Sequence, residues 1–232
     1  PMPILLRGKG NPNNYFPTKL PLLDAEQLAR IGATYSDGSL LQQTMQRVVT
    51  RPISMQGTVY GTGAIDLAET AAMELARNDG PRIAVFDLNG FDTHAGQGGE
   101  IGQHGDKLGI LNRLILELQK GMGDAFNNTI ILTLTEFGRK IEQNGGEGTE
   151  HGYGSAIIAA GGLLKTSQIF TDWPGLRQKD LFEGRDLNVT LDARSVYCAA
   201  MAACFNTDFE QLRRDAFFGA DLKDITTDLF RV

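Results

Sequence analysis

Of the three histidines in this chain of 232 residues, two stand in glycine-rich turns beside acids. His94 comes two residues after Asp92 in "GFDTHAGQGGE", directly behind the apolar run "RIAVFDL". His151 follows Glu150 in "GTEHGYG", downstream of a second apolar run, "TIILTLTE", and of Arg139. Imidazole and carboxylate together are a common donor set for zinc or manganese. Gly90, Gly96, Gly98 and Gly99 permit the backbone path that turns Asp92 and His94 inward together. Glu136, where the second run emerges, is expected as a metal ligand or general base, and Arg139 as a bidentate contact for an anionic ligand. Each has a plainer counterpart: Asp92 capping its turn, Glu136 paired with Arg139, His151 anchoring its loop.

Such residues need elements that deliver them to one place. "RIAVFDL" reads as a short, continuously apolar strand of the buried type, "NNTIILTLTE" as a second strand and "SAIIAAGGLL" as a third. Between the first two, Leu108, Leu111, Ile115, Leu118 and Met122 recur at spacings of three and four, which predicts an amphipathic helix over 107–126. Strand, long helix, strand is the signature of a parallel crossover. Ligands of such sheets gather beyond the carboxyl ends of the strands, so Asp87, Asp92, His94, Glu136, Arg139, Glu150 and His151 are expected to meet there. An upstream helix is predicted over 65–77, ended by Gly80 and Pro81, and helices over 192–205 and 209–216 close the chain. Residues 1–60 read as an irregular lead-in with helices around "LLDAEQLARI" and "LLQQTMQRVV", and 82–205 as the motif-bearing core. One domain over 1–232 is the simplest organisation.

Composition narrows the function classes. The net charge is -6 and Lys and Arg form no cluster, which argues against a nucleic-acid surface. No apolar run approaches the roughly 20 residues of a membrane helix, and the start carries no charged region followed by a signal-like core. Cys198 and Cys204, on one predicted helix, fall on different faces and are not expected to pair. "GLLKTS" lacks the glycine that a phosphate-cradling loop needs before Lys165, and Ser155 and Ser195 have no nucleophile-elbow context. The first residue is Pro1, so the chain is read as a mature product or a piece of a longer protein.

Four ordered motifs, "GFDTHAGQ", "TIILTLTEFGR", "N-x(3)-GTEHGYG" and "GRDLNVTLDAR-x-VY", resemble bacterial domain-of-unknown-function family 1501, placed in the alkaline phosphatase and sulfatase superfamily. The resemblance covers about residues 84–205. It implies a three-layer α/β/α fold with a mostly parallel sheet, similar to the C-terminal portion of the alkaline phosphatase fold. It also implies a metal-dependent hydrolase of small anionic phosphate or sulfate esters, with zinc, manganese or calcium, in the periplasm or exported. By the same resemblance Asp92 and His94 are the first metal pair and His151 the downstream histidine. Glu136 stands where a further Asp is expected, with Phe137 in the place of its histidine, so the second metal site looks impaired. No strand ending in an Asp and a Ser or Thr nucleophile is read before Arg82, so the family's N-terminal part is expected to be absent or replaced. A non-catalytic module with a vestigial metal is the alternative expectation.

Overall fold

The computed structural model describes residues 25–34, 37–39, 42, 62–85 and 87–232. The chain divides into two compact units, Pro1–Gly63 and Ala64–Val232. In the first, helix α1 covers Ala25–Gly32, on the expected "LLDAEQLARI" stretch, with an exposed Glu26–Arg30 pair one helical turn apart. The second helix expected in this region lies, apart from Gln42, outside the described residues.

Helix α2, Thr62–Leu75, buries Ala64, Ala68 and Ala72, a stripe of small residues at every fourth position. Helix α3, Gln103–Met122, buries Leu114, Leu118 and Met122. A Cβ on Gly121 would stand 2.6 Å from that of Ala72, so only glycine lets the two helices approach this closely. The α-helix ends earlier than its apolar spacing predicts because Gly123 takes φ 52 at the C-cap, and the chain continues as a 3-10 turn over Gly123–Asn128.

The largest cluster of buried residues surrounds α4, Ala193–Phe205. Asp192 caps it by accepting from the Arg194 N–H, and Asn206 ends it in the left-handed conformation. Helices α5, Phe209–Asp215, and α6, Thr226–Leu229, complete it with Phe209, Ile225 and Phe230. The helices predicted over 192–205 and 209–216 agree with α4 and α5 within a residue at each end, whereas α6 has no predicted counterpart.

The strands differ from expectation. The fold is mixed α/β with two small antiparallel sheets. β1, Ile131–Leu132, pairs with β4, Ala159–Ala160, and β2, Gly138–Gln143, pairs with β3, Thr149–Gly152. The expected mostly parallel sheet is not formed among the described residues. Residues 83–85 and 87–90 take part in no bridge or backbone hydrogen bond there, and Val85 is 87% exposed. An apolar run becomes a buried strand only where flanking strands and a covering layer exist, and its composition does not reveal whether they do. The β2–β3 hairpin, by contrast, has no counterpart among the predicted strands, because its strands are polar and carry no apolar alternation.

Candidate metal centre

Two segments far apart in sequence form the site. Residues 92–97 run beside the turn and second strand of the hairpin. The Thr149 N–H donates to the Thr93 carbonyl, Gly96 to Gly146 and Gln97 to Glu147. The Gln97 side-chain oxygen accepts from Thr93 Oγ1 at 2.9 Å and Thr149 Oγ1 at 2.8 Å, and Thr93 is buried. The approach is close enough that a Cβ on Gly148 would overlap the His94 carbonyl. The turn is wound by Asn144, whose Oδ1 accepts from the N–H groups of Gly146 and Gly148.

This arrangement brings Asp92, His94 and His151 together. Asp92 Oδ1 lies 3.0 Å from His94 Nε2 and 2.9 Å from His151 Nε2, and the two Nε2 atoms lie 3.2 Å apart. Ligand bonds of about 2.1 Å hold neighbouring donors about 3.0–3.4 Å apart around an octahedral or tetrahedral ion. The trio therefore has the spacing of three ligands on one face of a cation. Their side chains are 56%, 42% and 48% exposed, which leaves the opposite face open.

The surroundings fix which atoms face the centre. His94 Nδ1 lies 3.0 Å from Glu150 Oε2. An ionised carboxylate only accepts, which assigns the proton to Nδ1 and leaves the Nε2 lone pair aimed at the other two donors. Three lone-pair atoms in mutual contact, with at most one His151 proton among them, are satisfied by a cation. A carboxylate behind a ligating histidine is the usual second partner of such a site. Asn144 Nδ2 in turn donates to Glu150 Oε1 at 2.6 Å and to the His94 carbonyl at 2.8 Å. The Phe137 ring stacks on His151 at 3.8 Å and holds its orientation.

Arg139 faces inward. Its NH1 donates to the Thr149 carbonyl, and its NH2 to the Phe91 carbonyl and to Asp92 Oδ1. These terminal nitrogens clamp the two segments together, which gives Arg139 a positioning task at the site. The hydrogen bond from His151, with the charges of His94, His151 and Arg139, outweighs burial and holds the Asp92 carboxyl below its ordinary range. The Asn144 hydrogen bond, followed by His94, does the same for Glu150.

Of the residues expected here, Asp92, His94 and His151 converge, with Arg139 bonded to Asp92. Glu136 stays outside the trio. It is exposed and makes no hydrogen bond or ion pair among the described residues, so its expected pairing with Arg139 is replaced by the Asp92–Arg139 contact. His104 sits in the first turn of α3 against Phe91, with a buried Nδ1 that has no partner. Sequence reasoning gave Glu150 and Asn144 no role of their own. The signal for Asn144 was its place before two glycines, the composition of a tight turn. Cys198 is buried, Cys204 is exposed, and both are free thiols.

The family described as "Protein of unknown function (DUF1501)" matches residues 38–211. No curated protein and no solved structure matches the chain.

Proposed function

The chain belongs to the DUF1501 family, and from its own geometry we propose that it is a hydrolase-like protein with one divalent metal ion, acting on phosphate or sulfate esters. The observation that carries this reading is the trio Asp92, His94 and His151, spaced as ligands and open on one side. Structural metal sites are closed by four protein ligands, whereas catalytic ones keep a position for substrate. Two imidazoles with one carboxylate favour zinc or manganese over calcium, which prefers oxygen donors. Such an ion would supply Lewis-acid polarisation of the ester oxygen.

The protein's own residues do the rest. Glu150 holds His94 in the ligating tautomer, Asn144 holds Glu150, Phe137 orients His151, and Arg139 positions Asp92. Glu136, with a free carboxylate beside Phe137, is assigned the general base. Placement in the alkaline phosphatase and sulfatase superfamily, a bacterial source and a periplasmic or exported location belong to the same proposal. So does a three-layer parallel sheet, which needs strands flanking residues 83–85 from outside the described residues.

One observation favours a second reading, a binding module whose metal only fixes the loops. Phe137 supplies a ring where a second site needs a ligand, and no other ligand cluster occurs among the described residues.

Elemental analysis and calorimetric zinc titration test the centre. One equivalent of zinc is expected, lost in His94→Ala and kept in His104→Ala; equal loss from both would show the wrong histidines were chosen. Assays with aryl phosphate and aryl sulfate then separate the readings. Metal-dependent turnover, abolished in Asp92→Asn and reduced in Glu136→Gln, supports the hydrolase, and zinc binding without turnover supports the module.

A further inference from the structure

Just past His151 the chain leads into an aromatic surface that the metal trio does not use. Tyr153 stands two residues beyond His151, in the bend that follows the end of β3 at Gly152. The Arg139↔His151 pairing puts Arg139 opposite His151, and the Phe137 ring lies against both, stacked on His151 at 3.8 Å and 5.0 Å from the Arg139 guanidinium. Phe182 lies flat against Tyr153, with ring centroids 4.4 Å apart and planes inclined by 19°. It is delivered by a loop bridged to the hairpin through Lys140↔Asp186 and Phe182↔Asp186. The Lys140↔Asp186 bridge anchors that loop, and Asp186 at its root is 2% exposed, its carboxylate taking two hydrogen bonds from the adjacent Arg185.

The stack is nevertheless wet. Tyr153 is 57% exposed and Phe182 36%, and the Tyr153 hydroxyl makes no hydrogen bond among the described residues. An aromatic pair held through backbone bonds between Phe182 and Asp186, yet left open two residues from a ligand histidine, is placed as a binding surface rather than as core. Arg139, meanwhile, has its terminal nitrogens committed to Thr149, Phe91 and Asp92, so a small anion gains little from it.

We propose that the Tyr153–Phe182 stack is a specificity subsite for the ring of a ring-bearing ester whose anionic group sits at Asp92, His94 and His151. The proposal rests on the ester reading of the metal site and names the class of ester: one with an aromatic group attached through the esterified oxygen. The metal trio takes the charge and the shelf takes the ring, so discrimination between esters comes from stacking.

The test uses the zinc-loaded protein and three probes: phenyl phosphate, methyl phosphate, which has the ester without the ring, and phenol, which has the ring without the ester. Calorimetry for the esters and saturation-transfer NMR for phenol give binding without relying on turnover. Phenyl phosphate is expected to bind about tenfold more tightly than methyl phosphate. Tyr153→Ala and Phe182→Ala should each reduce that ratio toward one and weaken the phenol signal. Methyl phosphate affinity and zinc affinity should stay unchanged, which shows the hairpin intact, and Tyr153→Phe should keep the ratio. Binding of both esters with no preference, or a preference that survives both alanine substitutions, overturns the shelf. Phenol binding lost with the rings, while neither ester binds, sinks the ester reading and leaves the shelf standing. If nothing binds, both are wrong.

Discussion

Around α4 the chain is held by apolar surface removed from water: Cys198 and Ala199 are fully buried, and Ile225 and Phe230 are each 1% exposed. Around the β2–β3 hairpin it is held by hydrogen bonds between groups that stay half in water, and the trio's side chains are 42% to 56% exposed. Apolar packing stabilises in proportion to area and needs no particular partner. Polar bonds in water contribute little net free energy but demand fixed partners. The first region therefore supplies stability, and the second supplies a geometry that a cation would complete.

Two substitutions break that comparison if it is wrong. Phe230→Ala removes a fully buried ring and should cost about 3–5 kcal/mol in urea unfolding, while the folded fraction still binds zinc with unchanged affinity. His94→Ala should do the reverse. Zinc affinity falls more than about a hundredfold, because two remaining ligands make a poor site, and the metal-free protein unfolds within about 0.5 kcal/mol of the parent, as exposed positions do. A metal-free His94→Ala protein as unstable as Phe230→Ala would mean that the hairpin carries the fold after all.

Smaller changes behind the ligands sharpen the same division. Glu150→Gln keeps the shape but replaces the carboxylate that fixes the His94 proton on Nδ1, and Asn144→Ala frees that carboxylate and unwinds the turn. Each should weaken zinc binding by about 10- to 100-fold. Zinc titrations of the two variants check it. Loss from Asn144→Ala without loss from Glu150→Gln would assign the effect to turn geometry alone.

The helices of the core were legible because their evidence is local. Asp192 and Asp208 cap two of them, within a residue of the predicted starts. In α3 the spacing of three and four gave the helix, although the buried residues are Leu114, Leu118 and Met122 and Leu108 is exposed. Of the four candidate donors named from the sequence, Asp92, His94 and His151 converge and Glu136 does not; an Asp-x-His or a Glu-His in a glycine-rich turn has plainer uses, and only the fold brings the residues together. The strand pairing was not legible. Whether "RIAVFDL" is buried depends on strands that lie elsewhere, and residues 82–85 stand exposed with no strand paired to them among the described residues. The hairpin went unread because "GRKIEQ" and "TEHG" bury little and are set by long-range bonds, such as those of Gln97 to Thr93 and Thr149. Glu136 and Arg139 show the same limit within the site. Their spacing of three suggested a local ion pair, and the fold gave Arg139 a partner 47 residues away.

The smallest expected effect lies in the acid range and concerns the metal-free protein. His151, His94 and Arg139 hold the Asp92 carboxyl below its ordinary value of 3.8. A carboxyl whose pKa is lower folded than unfolded stabilises the fold fully above its unfolded value, and loses that contribution as pH falls through the folded one. Stability measured in urea should therefore decline as pH drops below about 4. Asp92 is 56% exposed, so solvent screens these contacts and its share stays under about 1 kcal/mol. Glu150, lowered chiefly by Asn144, adds to the decline in the same direction. Asp92→Asn removes the Asp92 share, so its unfolding midpoint should fall less steeply between pH 5 and pH 2 than that of the parent protein. Equal slopes would show that the folded trio does not hold Asp92 as an ion, and that the three donors meet only when a cation draws them together.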